Sequence, residues 1–331
     1  MSSGQHREIL ATSAYVPPRD ARPESGPVAV LPEPERPFVD AVESAGGSVA
    51  PLSPSTRGVI WLDPRGADAF ARVLEDNPQL SWIQLPYAGV DAFAGVLKRA
   101  ARPTLTVTSA KGAFAQPVAE HALMLTLALL RRLPLRLPAT SWGDGTLGTS
   151  LYGLHVVIVG AGGIALELIR LLQPFGVTVT IVRRGSAPVE GASSTVSTRA
   201  LDGVLGTADV VILAAALTDD TRGLLGAAQF ETMKKSAVLV NVGRGGLVVT
   251  DALVSALQTG TIAAAGVDVT DPEPLPHGHP LWSAPNVIIT PHSADTPEMT
   301  RPLLARRVAN NTRAFLGQGG FDGVVDPVVG Y

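Results

Sequence analysis

The sequence predicts an α/β protein: a doubly wound parallel sheet accompanied by a second, smaller α/β domain. Three observations lead there. From Leu154 to His292, short apolar, β-branched runs alternate with longer stretches of helical spacing. Hydrophobic residues make up 46% and charged residues 17% of the 331 residues, a balance that suits strands buried on both faces. A glycine-rich turn, Gly160 to Ala165, follows the first strand of the alternating region and opens a helical pattern.

The lead-in, Met1 to Pro27, is polar and proline-containing. It lacks the apolar stretch and small-residue cleavage site of a secretory signal and is expected to be disordered. Strands are then expected at Val28–Leu31, Gly58–Leu62 and Trp82–Gln84, with helices at Phe38–Ala45 and Ala67–Glu75. Residues 28–109 form the smaller domain in this reading. Val118–Leu130 is an apolar helix interrupted by Glu120 and His121, shorter than the roughly 20 residues of a membrane span. Arg131 to Ser150, rich in proline and glycine, reads as a long loop.

Six strands follow: His155–Val159, Val177–Val182, Val210–Ala214, Ala237–Val242, Ala264–Val269 and Val287–Thr290. Helical spacing appears over Ile164–Leu172, and again over Asp251–Leu257 with Thr250 as N-cap and Gly260 as stop. Residues 110–292 thus make the dinucleotide domain. A final helix, Pro297–Phe315, returns the chain to the first domain, so that residues 293–331 complete it.

Composition excludes several classes. With no cysteine, disulfides, thiolate catalysis and cysteine-bound metals are ruled out, and no metal site is expected. The net charge of −3 gives no general attraction to nucleic acid or acidic lipid. The expected setting is the cytoplasm, and the expected partner a small molecule.

The turn reads Gly160-Ala161-Gly162-Gly163-Ile164-Ala165, a G-x-G-x-x-A pattern between strand and helix. The first glycine permits the tight turn, the second admits a pyrophosphate to the backbone, and Ala165 packs the helix on the sheet. Phosphate is then held on the N–H groups of the helix start. This makes the central domain Rossmann-type. The next strand runs into Arg183 and Arg184, where NAD enzymes carry an acid for the ribose 2′-hydroxyl. Two guanidinium groups there favour the 2′-phosphate of NADP, with NAD as the alternative.

Other strand ends carry Arg244, then Asp268 with Glu273 shortly after, then His292. Ligands bind outside the carboxyl ends of such strands. An arginine can clamp a substrate carboxylate. A histidine can supply the proton that a carbonyl oxygen needs as hydride arrives, and a carboxylate can fix its tautomer. Arg244, Glu273 and His292 are therefore the candidate catalytic set for hydride exchange with a 2-oxo or 2-hydroxy acid. A NAD-linked dehydrogenase working oxidatively, or a dinucleotide-sensing protein without chemistry, are the competing readings.

The chain resembles the D-isomer-specific 2-hydroxyacid dehydrogenases from about Val28 onward. The matching blocks are Trp82-Ile83-Gln84 with Ala88-Gly89-Val90-Asp91, Val118-Ala119-Glu120-His121, Val159 to Ala165, Val240 to Gly245, Gly266 to Val269 with Glu273 to Pro276 and His279 to Trp282, and Asn286 to His292. The resemblance implies a flavodoxin-like first domain and a homodimer, with Glu120–Leu130 suited to its interface. It implies that Arg244 binds the substrate carboxylate and that His292 is acid/base with Glu273 as partner. Further substrate contacts come from Tyr87, Ala88 and Gly89. Cofactor contacts are implied at Ala215, Ala216, Leu217, Thr221, Val242, Gly243, Arg244, Asp268 and His292, beside the turn Gly160, Ala161, Gly162, Gly163 and Ile164. Thr270 stands where an aromatic is frequent and Ala216 where proline is frequent. Arg183-Arg184 is similar to the NADPH-using glyoxylate/hydroxypyruvate reductases of the family. Glu273 sets the chain apart from formate dehydrogenases, and no appended regulatory domain is expected.

Overall fold

A computed structural model describes residues 5–142 and 147–327. In chain order the elements are β1 (Val28–Leu31), α1 (Arg36–Ser44), β2 (Gly58–Trp61), α2 (Ala67–Asp76), β3 (Trp82–Gln84), α3 (Ala94–Ala100), β4 (Thr106–Thr108), α4 (Ala115–Leu130), α5 (Leu133–Arg136), β5 (His155–Val159), α6 (Gly163–Leu172), β6 (Thr178–Arg183), β7 (Ser194–Ser197), α7 (Leu201–Leu205), β8 (Val210–Leu213), α8 (Ala227–Thr232), β9 (Val238–Asn241), α9 (Thr250–Gln258), β10 (Ala264–Val267), β11 (Val287–Ile289) and α10 (Pro297–Phe315). They form two compact units: the described residues of Met1–Phe114 with Thr296–Tyr331, and those of Ala115–Asp295.

The second unit holds a parallel sheet in the order β11-β10-β9-β8-β5-β6-β7. Successive strand residues point to opposite faces, and both faces are covered. Val157 and Val159 join one apolar cluster, with Phe230, Leu253 and Leu257. Val156 and Ile158 join the other, with Leu125, Leu168 and Leu172. Double-sided burial is why β5 reads as an unbroken apolar run. Chain order reverses between β5 and β8, the topological switch point where ligands of such sheets bind.

The first unit has a smaller parallel sheet, β1-β2-β3-β4. A single bridge joins Val49 to Val28 on the outer side of β1. Counting that bridge as a vestigial strand yields the flavodoxin order 2-1-3-4-5. One face packs Phe38 and Val42 of α1 and Leu304, Val308 and Phe315 of α10 against Val28, Ile60 and Trp82. The opposite face buries Phe70, Leu74, Phe93 and Leu97.

Several boundaries differ from the expectations above. β5 has the expected bounds, His155–Val159, while the other five predicted strands of the second unit lose or shift one or two residues at their ends. β4, β7, α3, α7 and α8 add elements that periodicity did not reveal. β7 is polar and partly exposed at a sheet edge, so it lacks the apolar pattern of its neighbours. The Arg131–Ser150 loop contains one helical turn, α5, and its residues 143–146 lie outside the described residues. Thr250 is the first residue of α9 rather than its cap, which is Val249. Its hydroxyl donates instead to the Asp271 carbonyl, at 2.5 Å.

The lead-in also differs from the disordered segment expected; its residues 1–4 lie outside the described residues. Ile9 N–H donates to Gly112, Tyr15 bridges Phe321, and Ser81 Oγ donates to the Glu24 carbonyl at 2.7 Å. Glu8 reaches Arg307 of α10, which is fully buried. The guanidinium donates to the Ser109 carbonyl at 2.6 Å, the Lys111 carbonyl at 2.9 Å and Glu8 Oε2 at 3.1 Å. Backbone partners that a polar sequence does not advertise thus order this stretch.

Removing one partner of a buried ion pair strands the other. Arg307→Leu is expected to lower unfolding free energy by about 3–5 kcal/mol, read from the urea midpoint. A midpoint equal to wild type would show that Arg307 carries no such load.

Candidate active site

Four strand-end loops of the second unit carry the candidate site. The first is the glycine turn. Gly160, at φ +117°, follows β5, and a Cβ there would lie 2.5 Å from the Ala214 carbonyl oxygen just past β8. Only glycine allows the two chains to approach so closely at the switch point. Gly162 caps α6, and a Cβ built on it meets nothing within 4 Å. Open space thus faces a helix start whose cap has no side chain for its first N–H groups, which is the cradle a pyrophosphate requires. Ala161 and Ile164 are half-buried against the α4–α6 cluster, and Gly163 opens the helix.

The second loop follows β9. Asn241 is buried; its Nδ2 donates to the Arg244 carbonyl at 3.0 Å and its Oδ1 accepts from Gly243 N–H at 3.1 Å. This brace sets the loop that presents Arg244, whose Nη1 donates to the Gly243 carbonyl at 2.7 Å. Gly245 is pressed on the neighbouring loop: a Cβ there would fall 1.9 Å from the Thr270 carbonyl oxygen. Val242 is buried, and Gly243 approaches the Ala215 carbonyl in the same way.

The third and fourth loops follow β10 and β11. Asp268 is 2% exposed. Its Oδ1 accepts from Thr290 Oγ1 at 2.6 Å and from Ser293 N–H at 2.9 Å; its Oδ2 accepts from Ala294 N–H at 3.1 Å. His292 has a left-handed backbone, φ +52°, and its N–H donates to the Asp268 carbonyl at 2.8 Å. Its Nδ1 lies 2.6 Å from Glu273 Oε1, with the two side chains 45% and 41% exposed. At that distance the carboxylate accepts the Nδ1 hydrogen, which leaves Nε2 as the ring's other nitrogen.

Other expected residues sit as follows. Arg183 ends β6, paired with Ser197 of β7, and Arg184 follows it, exposed. Ala215, Ala216 and Leu217 follow β8. Thr221 Oγ1 donates to the Ala216 carbonyl at 2.8 Å and accepts from Thr218 N–H, so this hydroxyl stitches its own turn. Tyr87, Ala88 and Gly89 belong to the first unit, after β3; Ala110 N–H donates to the Tyr87 carbonyl and Ser109 Oγ lies 3.4 Å from the Ala88 carbonyl. Among the described residues there is no acidic or histidine cluster able to hold a metal, and no helix long and apolar enough to cross a membrane.

Three groups escaped the sequence reading as site residues. His121, on α4, places Nε2 3.0 Å from Thr290 Oγ1 and 3.5 Å from Asp268 Oδ1. Burial lowers its pKa, while the Asp268 charge pulls the other way. Asn241 and Asp295 are the others. Burial pushes the Asp295 carboxyl upward; His292 pulls it down, Asp268 raises it and Arg244 pulls it down. Asp295 thus lies in the electrostatic reach of all three strand-end groups. Its spacing, three residues past His292, was the only available signal.

This sheet order, with a glycine cradle at the switch point, defines a dinucleotide-binding α/β protein. The family model for the D-isomer specific 2-hydroxyacid dehydrogenase NAD binding domain matches residues 123–294. A glyoxylate reductase of Aeropyrum pernix is 32% identical over 271 residues, 76% of this chain and 80% of that protein. A D-isomer specific 2-hydroxyacid dehydrogenase of Xanthobacter autotrophicus, solved in complex with NADPH and MES, superposes with a TM-score of 0.78 at 27% identity, covering 93% of this chain and all of the other. An NADPH-dependent glyoxylate/hydroxypyruvate reductase of Sinorhizobium meliloti, solved with NADP and malonate, gives 0.73 at 27% identity, covering 92% and 98%. The chain belongs to the D-isomer specific 2-hydroxyacid dehydrogenase family. It is an NAD(P)-dependent 2-hydroxyacid dehydrogenase.

An acid whose folded pKa is raised stabilises the fold below its unfolded pKa and loses that contribution as pH rises through the folded value. Asp295→Asn removes the half-buried charge present at neutral pH. The variant is expected to melt higher than wild type at pH 7.5, with the gain shrinking toward pH 4.5; a lower melting temperature at both values would contradict the raised pKa.

Proposed function

We propose that this protein reduces a small 2-oxo acid of the glyoxylate or hydroxypyruvate class to its 2-hydroxy acid, with NADPH preferred over NADH. The observation that carries it is the 2.6 Å bond between His292 Nδ1 and Glu273 Oε1. Glu273 accepts the Nδ1 hydrogen and so holds the ring in one orientation, which leaves Nε2–H as the acid. Arg244 clamps the substrate carboxylate through its paired N–H groups and draws electron density from the adjacent carbonyl. The Gly160–Gly163 cradle would hold the dinucleotide pyrophosphate, and the nicotinamide would supply the hydride. His292 Nε2 gives its proton to the carbonyl oxygen as that oxygen becomes negative. Asp268 keeps the histidine turn in place.

The cofactor preference rests on the end of β6, where Arg183 and Arg184 stand and no carboxylate occurs before Glu190. Guanidinium groups fit a 2′-phosphate, and a carboxylate would repel it. A homodimer is proposed as well. Leu137, Trp142, Leu147 and Tyr152 are exposed between α5 and β5, an apolar surface suited to a second copy. Light scattering at twice the 34.3 kDa chain mass would bear this out, and a single-chain mass would refute it.

Initial rates with a panel of 2-oxo acids, NADPH and NADH side by side, test the reading. At least a tenfold preference for NADPH is expected, about 1.4 kcal/mol of discrimination. His292→Ala should lower kcat by roughly 10²- to 10⁴-fold; near-wild-type turnover would remove His292 from proton transfer. Arg183→Ala should weaken NADPH far more than NADH, and equal losses would end the 2′-phosphate assignment.

A further inference from the structure

We propose that His121 is a positioning residue for His292, acting through Thr290 and Asp268 on the turn that carries it. The proposal rests on the reading of His292 as the proton donor. A count of hydrogens sets the direction of each bond. Thr290 has one hydroxyl hydrogen, which goes to Asp268 Oδ1 at 2.6 Å. The hydroxyl oxygen is then an acceptor, and His121 Nε2, 3.0 Å away, is the donor. The same Nε2 lies 3.5 Å from Asp268 Oδ1. The His121 side chain is 14% exposed, and it leans on both members of the Thr290–Asp268 pair from the side of α4.

What that pair holds is the histidine turn. The Asp268 carboxylate accepts the N–H groups of Ser293 and Ala294, the two residues after His292. The Asp268 carbonyl accepts the N–H of His292 itself. His292 takes φ +52° without being glycine, a conformation that persists only where surrounding bonds impose it. Loss of the His121 donor leaves the Thr290 hydroxyl oxygen short of a hydrogen, and the Thr290–Asp268 pair that holds the turn free to relax. Through Thr290 and Asp268, His121 thus acts at the third hydrogen bond on the backbone of the turn that carries the imidazole.

The experiment compares His121→Ala, His121→Gln and Thr290→Val. The amide Nε2 of glutamine can stand where the imidazole Nε2 stands. Thr290→Val breaks the same chain one bond further on at nearly constant volume. In His121→Ala and Thr290→Val, kcat should fall about 10- to 100-fold, the scale of a misplaced group, with KM within about threefold of wild type. His121→Gln should recover most of kcat. The imidazole Cε1–Hε1 resonance of His292, assigned by its loss in His292→Ala, should shift or broaden in the first two variants and return in His121→Gln. The resonance needs no substrate, so a wild type without turnover counts against the reductase while the resonance still decides the positioning role. An unmoved resonance in His121→Ala and Thr290→Val, or a kcat loss that glutamine leaves in place, overturns the assignment.

Discussion

Asp268 is the residue on which the strand-end geometry hangs. A carboxylate taken out of water is costly unless hydrogen-bond donors surround it. Here one hydroxyl and two backbone N–H groups do so, all from the segment that follows β11 or its last turn. The carboxylate stands on the first residue after β10, so these bonds join the ends of two adjacent strands just beyond the point where their ladder stops. The histidine turn has no helix or strand of its own. Its shape is borrowed from this carboxylate, and the alignment of His292 with Glu273 follows from it.

The neighbouring loops obey a different constraint, which is lack of space. Gly160 touches the chain past β8, Gly243 approaches Ala215, and Gly245 abuts Thr270. A parallel sheet brings strand ends to one edge about 4.8 Å apart. Side chains at every strand end would hold the loops apart; glycines let their backbones close up. Asn241 then substitutes its amide for the missing ladder partners of the Arg244 loop. Hydrogen bonds order one half of the site and close packing the other.

The long apolar strands of the second unit and its glycine turn were legible in the sequence because burial on both faces leaves an unbroken apolar run. β7 was not, since an edge strand of Ser194–Ser197 has no apolar code. β4 is three residues of Thr-Val-Thr, too short for periodicity to speak. The lead-in looked unstructured because its order comes from main-chain bonds and one buried arginine 299 positions away. Arg244, Glu273 and His292 could be named from their places at strand ends. His121 could not: it sits 169 positions from Thr290, on a helix whose apolar surroundings suggest only packing. Asp295 was hidden for a similar reason, because its environment depends on groups from three loops.

The strand order has one more consequence. β6, which ends in Arg183, stands three places from β9 and farther still from β10 and β11. At the usual spacing that is about 14 Å between the arginine's strand and the nearest of the strands bearing Arg244, Glu273 and His292. Residues at the two locations share no loop. Under the proposed roles of Arg183 and His292, such a layout is modular in the evolutionary sense: a lineage can exchange the residues past β6 for an acid, and so change the redox pool it draws on, while the loops after β9, β10 and β11 remain untouched.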